Sequence, residues 1–237
     1  MSVTGDKQDV RNRVWNRLEA VGAVDGDAHG RIPNFHGAVE AAARLAALPQ
    51  WQSALVVKAS PDRPQAPARA KALEDSKTLY MAVPKLAQER PFYHLNPLLA
   101  DHAPTDAATT DMAAAYAPTV EVDSMQPIDL VIIGCVAVNA QGARLGKGAG
   151  YADIEISLLI DAGLISDRTT ITTTVHDLQV LDDEAIPEEP HDFRLDWIIT
   201  PTRTIECPRS PRPQGLDWNR LPIEKIAAIP ALAARRP

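Results

Sequence analysis

The residues of this chain best placed to do chemistry lie in Gly142-Ala143-Arg144-Leu145-Gly146-Lys147-Gly148-Ala149-Gly150-Tyr151-Ala152-Asp153, between an apolar run and an amphipathic segment. Glycines let backbone N–H groups close on an anion, and a helix that starts directly after them adds the positive end of its dipole. Arg144 and Lys147 can neutralise a polyphosphate, and Asp153 can hold the magnesium that accompanies it. On spacing alone the same residues also fit an ordinary strand-to-helix turn with solvated charges. Lys7 and Arg11 stand one helical turn apart and share a face, which reads either as a solvated face or as a second source of positive charge. His176-Asp177 and His191-Asp192 invite acid–base or metal chemistry. Neighbours on a strand point in different directions, so structural hydrogen bonds are the simpler reading for both pairs.

The elements that must position these residues can be followed along the chain. Val10, Val14, Leu18 and Val21 repeat at helical spacing over Asp6 to Val21, with Thr4 or Asp6 as cap and Gly22 as stop. An alanine-rich helix is expected from about His36 to Ala47, ended by Pro49. The apolar run Ser53 to Lys58, a helix from Pro67 to about Asp75, and the run Thr78 to Val83 make a strand, helix and strand in succession, which predicts a parallel sheet. Ala100 to Pro118 reads as a surface excursion with one helical turn. Ile128 to Val138 is the strongest buried strand, placing the glycine loop at its C-terminal end, where ligands of open α/β sheets collect. A helix from Tyr151 to Ala162 faces Ile154, Leu158 and Leu159 inward. Ile171 to Val175 and Trp197 to Thr200 supply further strands. Asp182-Asp183-Glu184 and Glu188-Glu189 form an acidic, solvated loop. The expected fold is α/β, three layers with a mostly parallel, Rossmann-like central sheet, one domain over residues 1–205 and a Pro/Arg-rich peripheral or mobile tail over 206–237.

Composition narrows the function. With 237 residues the chain can bury a substantial core, and 24 basic against 31 acidic residues give a net charge of −7 without long runs of one sign. Bulk attraction to nucleic acid or an anionic membrane is not expected, so any phosphate site must be a local basic pocket. Cys135 and Cys207 have neither disulfide nor metal-ligand spacing, and Cys135 sits in an apolar run as a small hydrophobe. Trp15, Trp51, Trp197 and Trp218 read as core or interface anchors. No apolar stretch is long enough to span a bilayer and no signal peptide core is evident, so the expectation is a cytoplasmic monomer or homodimer.

The glycine loop with its flanks resembles the 5-formyltetrahydrofolate cyclo-ligase (methenyltetrahydrofolate synthetase) family. That family carries a Val/Ile-rich strand and a loop Gly-x-Arg-Leu-Gly-x-Gly-x-Gly-Tyr-Tyr-Asp, matched here by Gly142, Arg144, Leu145, Gly146, Gly148, Gly150, Tyr151 and Asp153. Its Lys-x-x-x-Arg pair corresponds to Lys7 and Arg11, and Ile186 to Asp196, with His191-Asp192, looks like the segment before its last strand. The resemblance implies ATP- and Mg2+-dependent closure of 5-formyltetrahydrofolate to 5,10-methenyltetrahydrofolate. The formyl oxygen attacks the γ-phosphoryl group, and the folate N10 then displaces phosphate from the phosphorylated imidate. It implies a nucleotide site of Lys7, Arg11, Arg144, Gly146, Lys147, Gly148, Gly150 and Tyr151. Arg144, Lys147 and Tyr151 serve the reaction and Asp153 the magnesium, and the substrate is a reduced folate or related small molecule. The chain departs from the pattern at Ala152, where the family has a second tyrosine, at Ile154, where it usually has a basic or small polar residue, and near Arg63 and Gln65. There a folate-contacting glutamate is missing or displaced to Asp62. A divergent non-catalytic nucleotide- or folate-binding relative, or an ATP-dependent enzyme with a changed substrate, is the alternative.

Overall fold

The computed structural model describes residues 3–182 and 184–236, without the side chains of Val3 and Thr4. The Thr4 cap and Asp183 of the acidic loop lie outside the described residues. In chain order the elements are α1 (Val3–Ala20), α2 (Ala38–Ala46), α3 (Pro49–Ser53), β1 (Val56–Ala59), α4 (Ala66–Glu74), β2 (Thr78–Ala82), β3 (Phe92–His94), α5 (Pro104–Ala107), α6 (Thr110–Tyr116) and β4 (Thr119–Val120). They continue with β5 (Leu130–Ile132), β6 (Ala137–Val138), β7 (Arg144–Leu145), α7 (Tyr151–Asp161), β8 (Thr170–Thr174), β9 (Trp197–Ile199), β10 (Thr204–Glu206), α8 (Ile223–Ala228) and α9 (Pro230–Ala233).

Eight strands form one sheet in the order β10-β9-β8-β5-β1-β2-β3-β4. The five from β9 to β2 are parallel, with Val57 opposite Leu79 and Leu130, and Val131 opposite Ile171. Antiparallel β3, β4 and β10 extend the edges. The expected strand–helix–strand unit is β1, α4 and β2, with Pro67 in the first turn of α4, where a missing N–H costs nothing. The chain leaves β1 toward β2 on one side and resumes through β5 on the other. The crevice between the ends of β1 and β5 is therefore the switch point where such sheets bind ligands.

Alternation along the strands builds two apolar layers, as an α/β/α arrangement requires. Val57 and Ala59 of β1 join Val14 and Leu18 of α1, Leu45 of α2 and Leu73 of α4, whereas Val56 faces the cluster of Ile156 and Leu158 of α7 with Leu232 of α9. Trp15 and Trp51 are core anchors, and both cysteines are free and buried. Among the described residues no helix is long and apolar enough to cross a membrane.

Several expected boundaries shift. Helix α1 begins before Asp6, which lies in its first turn instead of capping it. Pro49 opens α3 as well as ending α2. The run Ile128 to Val138 is not one strand: β5 ends at Ile132, and β6 turns back on β7, so Arg144 stands in a strand and not in a loop. Asn139 makes that hairpin, its Oδ1 accepting from the N–H groups of Gln141 and Ala143 at 3.1 Å. The excursion over Ala100 to Pro118 forms α5 and α6, with Ala107, Ala108 and Ala113 fully buried. Alanines give no amphipathic signal, yet let α5 pack closely on α4. After β10 the chain packs against the α7 face of the sheet, burying Ile226, Ile229 and Leu232.

Candidate active site

A cleft of about 410 Å3 opens over the ends of β1, β2 and β5, a size typical of small-molecule sites (about 300–1,000 Å3). Its floor is set where β1 and β5 end. Ser60 donates its N–H to Ile132 O at 2.8 Å, and Gly134 donates to Ser60 Oγ at 3.3 Å. A Cβ at Gly134 would lie 2.7 Å from Asp62 Oδ2, so glycine there is what lets Asp62 occupy the crevice. The loop bearing Asp62 is fixed from below by fully buried Arg69, whose Nη1 donates to Ser60 O at 2.5 Å and Asp62 O at 3.1 Å, and whose Nε donates to Ala108 O at 2.8 Å. Burial lowers the Arg69 pKa to about 10, still leaving it charged at neutral pH.

The wall above is the segment from Arg144 to Asp153. Gly148, at φ 96°, packs against the Arg11 guanidinium, where a Cβ would meet Cζ at 3.4 Å in a backbone conformation that disfavours side chains. Gly150 is the left-handed N-cap of α7, whose first turn has no side-chain cap, so its amide donors are left for another partner. Lys7, Arg11, Arg144, Gly146, Lys147, Gly148, Gly150, Tyr151 and Asp153 all line this cleft, as do Ala152 and His191.

Four cations of the cleft, Lys7, Arg11, Arg144 and Lys147, have protein partners. Lys7 and Arg11 are buried, which rules out the solvated-face reading for that side of α1. Lys7 Nζ lies 2.6 Å from Asp192 Oδ2 and 3.0 Å from Glu189 Oε2. Arg11 Nε donates to Gly146 O at 2.7 Å. Burial lowers the Arg11 pKa, against the pull of Asp192 and Asp153 in the other direction. Arg144 pairs with Asp153 and lies 3.6 Å above the Phe193 ring. Lys147 reaches Asp62 Oδ1 at 3.2 Å across the mouth. Fully buried Lys58 of β1 pairs with Glu155 of α7, which itself lines the cleft. Burial raises the Glu155 pKa and Lys58 draws it back down.

Sequence reasoning missed Glu189, Phe193, Arg69 and the Lys58–Glu155 pair. Lys58 and Glu155 interrupt apolar patterns, the one signal that pointed to them. His191 remains half exposed, and its neighbour Asp192 is the residue that engages Lys7. His176-Asp177 is structural: His176 Nδ1 accepts from the Leu178 N–H, and Asp177 accepts from Thr200 and Thr202. Arg63 and Gln65 do not line the cleft, while Asp62 does.

The model of the 5-formyltetrahydrofolate cyclo-ligase family matches residues 3–201, from the first turn of α1 to the end of β9. The chain belongs to that family. Methenyltetrahydrofolate synthase domain-containing protein of Bos taurus is 39% identical over 241 residues, which cover 97% of this chain and 62% of that protein. Its namesake in Homo sapiens is 36% identical over 97% of this chain and 61% of its own length. The chain thus spans about three-fifths of the curated relatives it matches across its length. The 5-formyltetrahydrofolate cyclo-ligase of Mycolicibacterium smegmatis is 33% identical over 88 residues, 37% of this chain and 41% of that enzyme. In fold, the chain is similar to 5,10-methenyltetrahydrofolate synthetase of Aquifex aeolicus, with a TM-score of 0.56 at 16% identity, covering 91% of this chain and 99% of that one. Arg144, Gly148, Tyr151 and Asp153, where the chain resembles the family's loop, all line the cleft.

Proposed function

We propose that this chain is an ATP- and Mg2+-dependent cyclo-ligase that closes 5-formyltetrahydrofolate to 5,10-methenyltetrahydrofolate. The observation that carries the reading is convergence: Lys7 and Arg11 from α1, Arg144 from β7 and Lys147 from the glycine loop meet at one sheet edge, beside the uncapped first turn of α7. Lone glycine turns do not recruit cations from a distant helix. The reaction needs no protein nucleophile, only alignment of a formyl oxygen with a γ-phosphoryl group and neutralisation of the charge that moves.

The ion pairs define how the site would work. Arg144 and Lys147 are held by Asp153 and Asp62, so phosphate oxygens exchange with carboxylates on cations that are already oriented. Asp153, released from Arg144, then faces the phosphates and is placed to hold magnesium. Among the described residues no group of three His, Cys, Asp or Glu side chains is gathered as a metal site. A magnesium bound jointly with phosphates needs only one or two carboxylates, so the donor set fits. The ion supplies charge neutralisation on the phosphate oxygens. Asp62, released from Lys147, becomes an acceptor for the donor groups of a reduced pterin, in the role of the family's displaced carboxylate. Ala152 leaves a methyl group where the family has a ring, giving up one apolar surface in the cleft.

The test is incubation of the protein with 5-formyltetrahydrofolate, ATP and Mg2+ while methenyl absorbance is followed. Product should form only when all three are present, and Arg144→Ala should reduce turnover at least about 100-fold, the scale of losing one preorganised charge donor, with the fold retained by circular dichroism. Nucleotide binding without product would remove the cyclo-ligase reading. Unchanged turnover in Arg144→Ala would remove the site assignment.

A further inference from the structure

The family match ends at residue 201, yet the chain beyond it returns to the glycine loop. Ile226, Ile229 and Leu232 are buried against the α7 layer, which anchors α8 beside the N-terminus of α7. From there Lys225 makes two contacts. Its Nζ donates to Ala149 O at 2.8 Å, and it lies 3.6 Å from the centre of the Tyr151 ring. Lys225 does not line the cleft, but Ala149, Gly150 and Tyr151 do.

A trans peptide sets its C=O and N–H on opposite edges of one plane. The cation that holds the Ala149 carbonyl on the α8 side therefore turns the Gly150 N–H to the other side of the loop. Gly148, Ala149 and Gly150 carry at most a methyl group, so no other side chain of these three residues restricts that plane. The same ammonium covers one face of the Tyr151 ring, which fixes the side chain by a cation–π contact. We propose that Lys225 is a positioning residue. It is supplied by the C-terminal segment, locks the glycine loop with its amide donors toward the cleft, and sets Tyr151 at the cleft's rim. The inference deepens the reading of the loop as a phosphate cradle and rests on it for its consequence in affinity, while its claim about loop order stands independently.

The test compares the full chain with Lys225→Met and Lys225→Arg. Two quantities are measured: hydrogen exchange of the amides in residues 146–151 without ligand, and the Kd for a non-hydrolysable ATP analogue with Mg2+. Lys225→Met should speed exchange and weaken binding about tenfold each, the order expected for losing one charged hydrogen bond together with a cation–π contact. Lys225→Arg, which keeps both contacts, should stay within about twofold. Unchanged exchange in Lys225→Met overturns the proposal, and so does faster exchange spread evenly over the whole sheet, which would report global destabilisation. If the unaltered chain binds no nucleotide, the phosphate-cradle reading fails, while locally faster exchange in Lys225→Met still supports the lock.

Discussion

The Lys58–Glu155 pair gives the sharpest energetic expectation. Lys58 is 0% exposed and Glu155 5%, so neither can turn to water when its partner is removed. Removing one member of a buried pair costs about 3–5 kcal/mol, whereas replacing both by apolar side chains of similar volume is often neutral or better. For a chain of this size about 1 kcal/mol moves Tm by about 2–4 °C, so Lys58→Met should lower it by about 6–20 °C at pH 8. The loss should depend on pH. Burial already holds the Glu155 pKa above the usual carboxylate range, with Lys58 opposing the shift. A raised pKa in the folded state contributes stability that is fully present below the unfolded pKa and is lost as pH rises through the folded value. Without Lys58 the folded value climbs further, so the destabilisation should be greatest at pH 8 and shrink toward pH 5. Thermal unfolding by circular dichroism between these pH values reads all of this, with Lys58→Met/Glu155→Leu expected within about 1 kcal/mol of the starting protein. A single-variant loss under about 1 kcal/mol, or one that does not change with pH, would refute the reasoning.

Two further expectations follow from the packing. Gly134→Ala pushes a Cβ against Asp62 Oδ2, a mobile end group, so the fold should survive with a loss of about 1–3 kcal/mol while the KM for the folate rises more than that for ATP. Equal effects on both would argue against Asp62 as the folate-side carboxylate. Burial pushes the thiols of Cys135 and Cys207 up to about 11 and about 12, so both should resist iodoacetamide at pH 8 until the protein unfolds. Native-state labelling of either, followed by mass spectrometry, would contradict that packing.

What could be read from the sequence depended on how local the cause was. The parallel unit β1-α4-β2 was legible because apolar runs, a proline cluster and Pro67 each act within a few residues. The glycine loop was legible because its spacing is dense. The β6–β7 hairpin was not, since the break between β5 and β6 falls inside an apolar run that suggested one strand. Two helices, α5 and α6, stand where one helical turn was read, because alanines carry no period; Arg69, from a different helix, holds the Ala108 carbonyl between them. Lys7, Arg11, Arg144 and Lys147 were found, but their pairings with Asp192, Glu189, Asp153 and Asp62 were not. Lys7 and Asp192 are 185 residues apart, and no spacing rule reaches that far.

The most direct test of the central claim uses 5-formyltetrahydrofolate carrying 18O in the formyl group. If the formyl oxygen attacks the γ-phosphoryl group and N10 then expels phosphate, each methenyl product formed should leave one 18O in inorganic phosphate by mass spectrometry. Methenyl product accompanied by unlabelled phosphate would contradict the account.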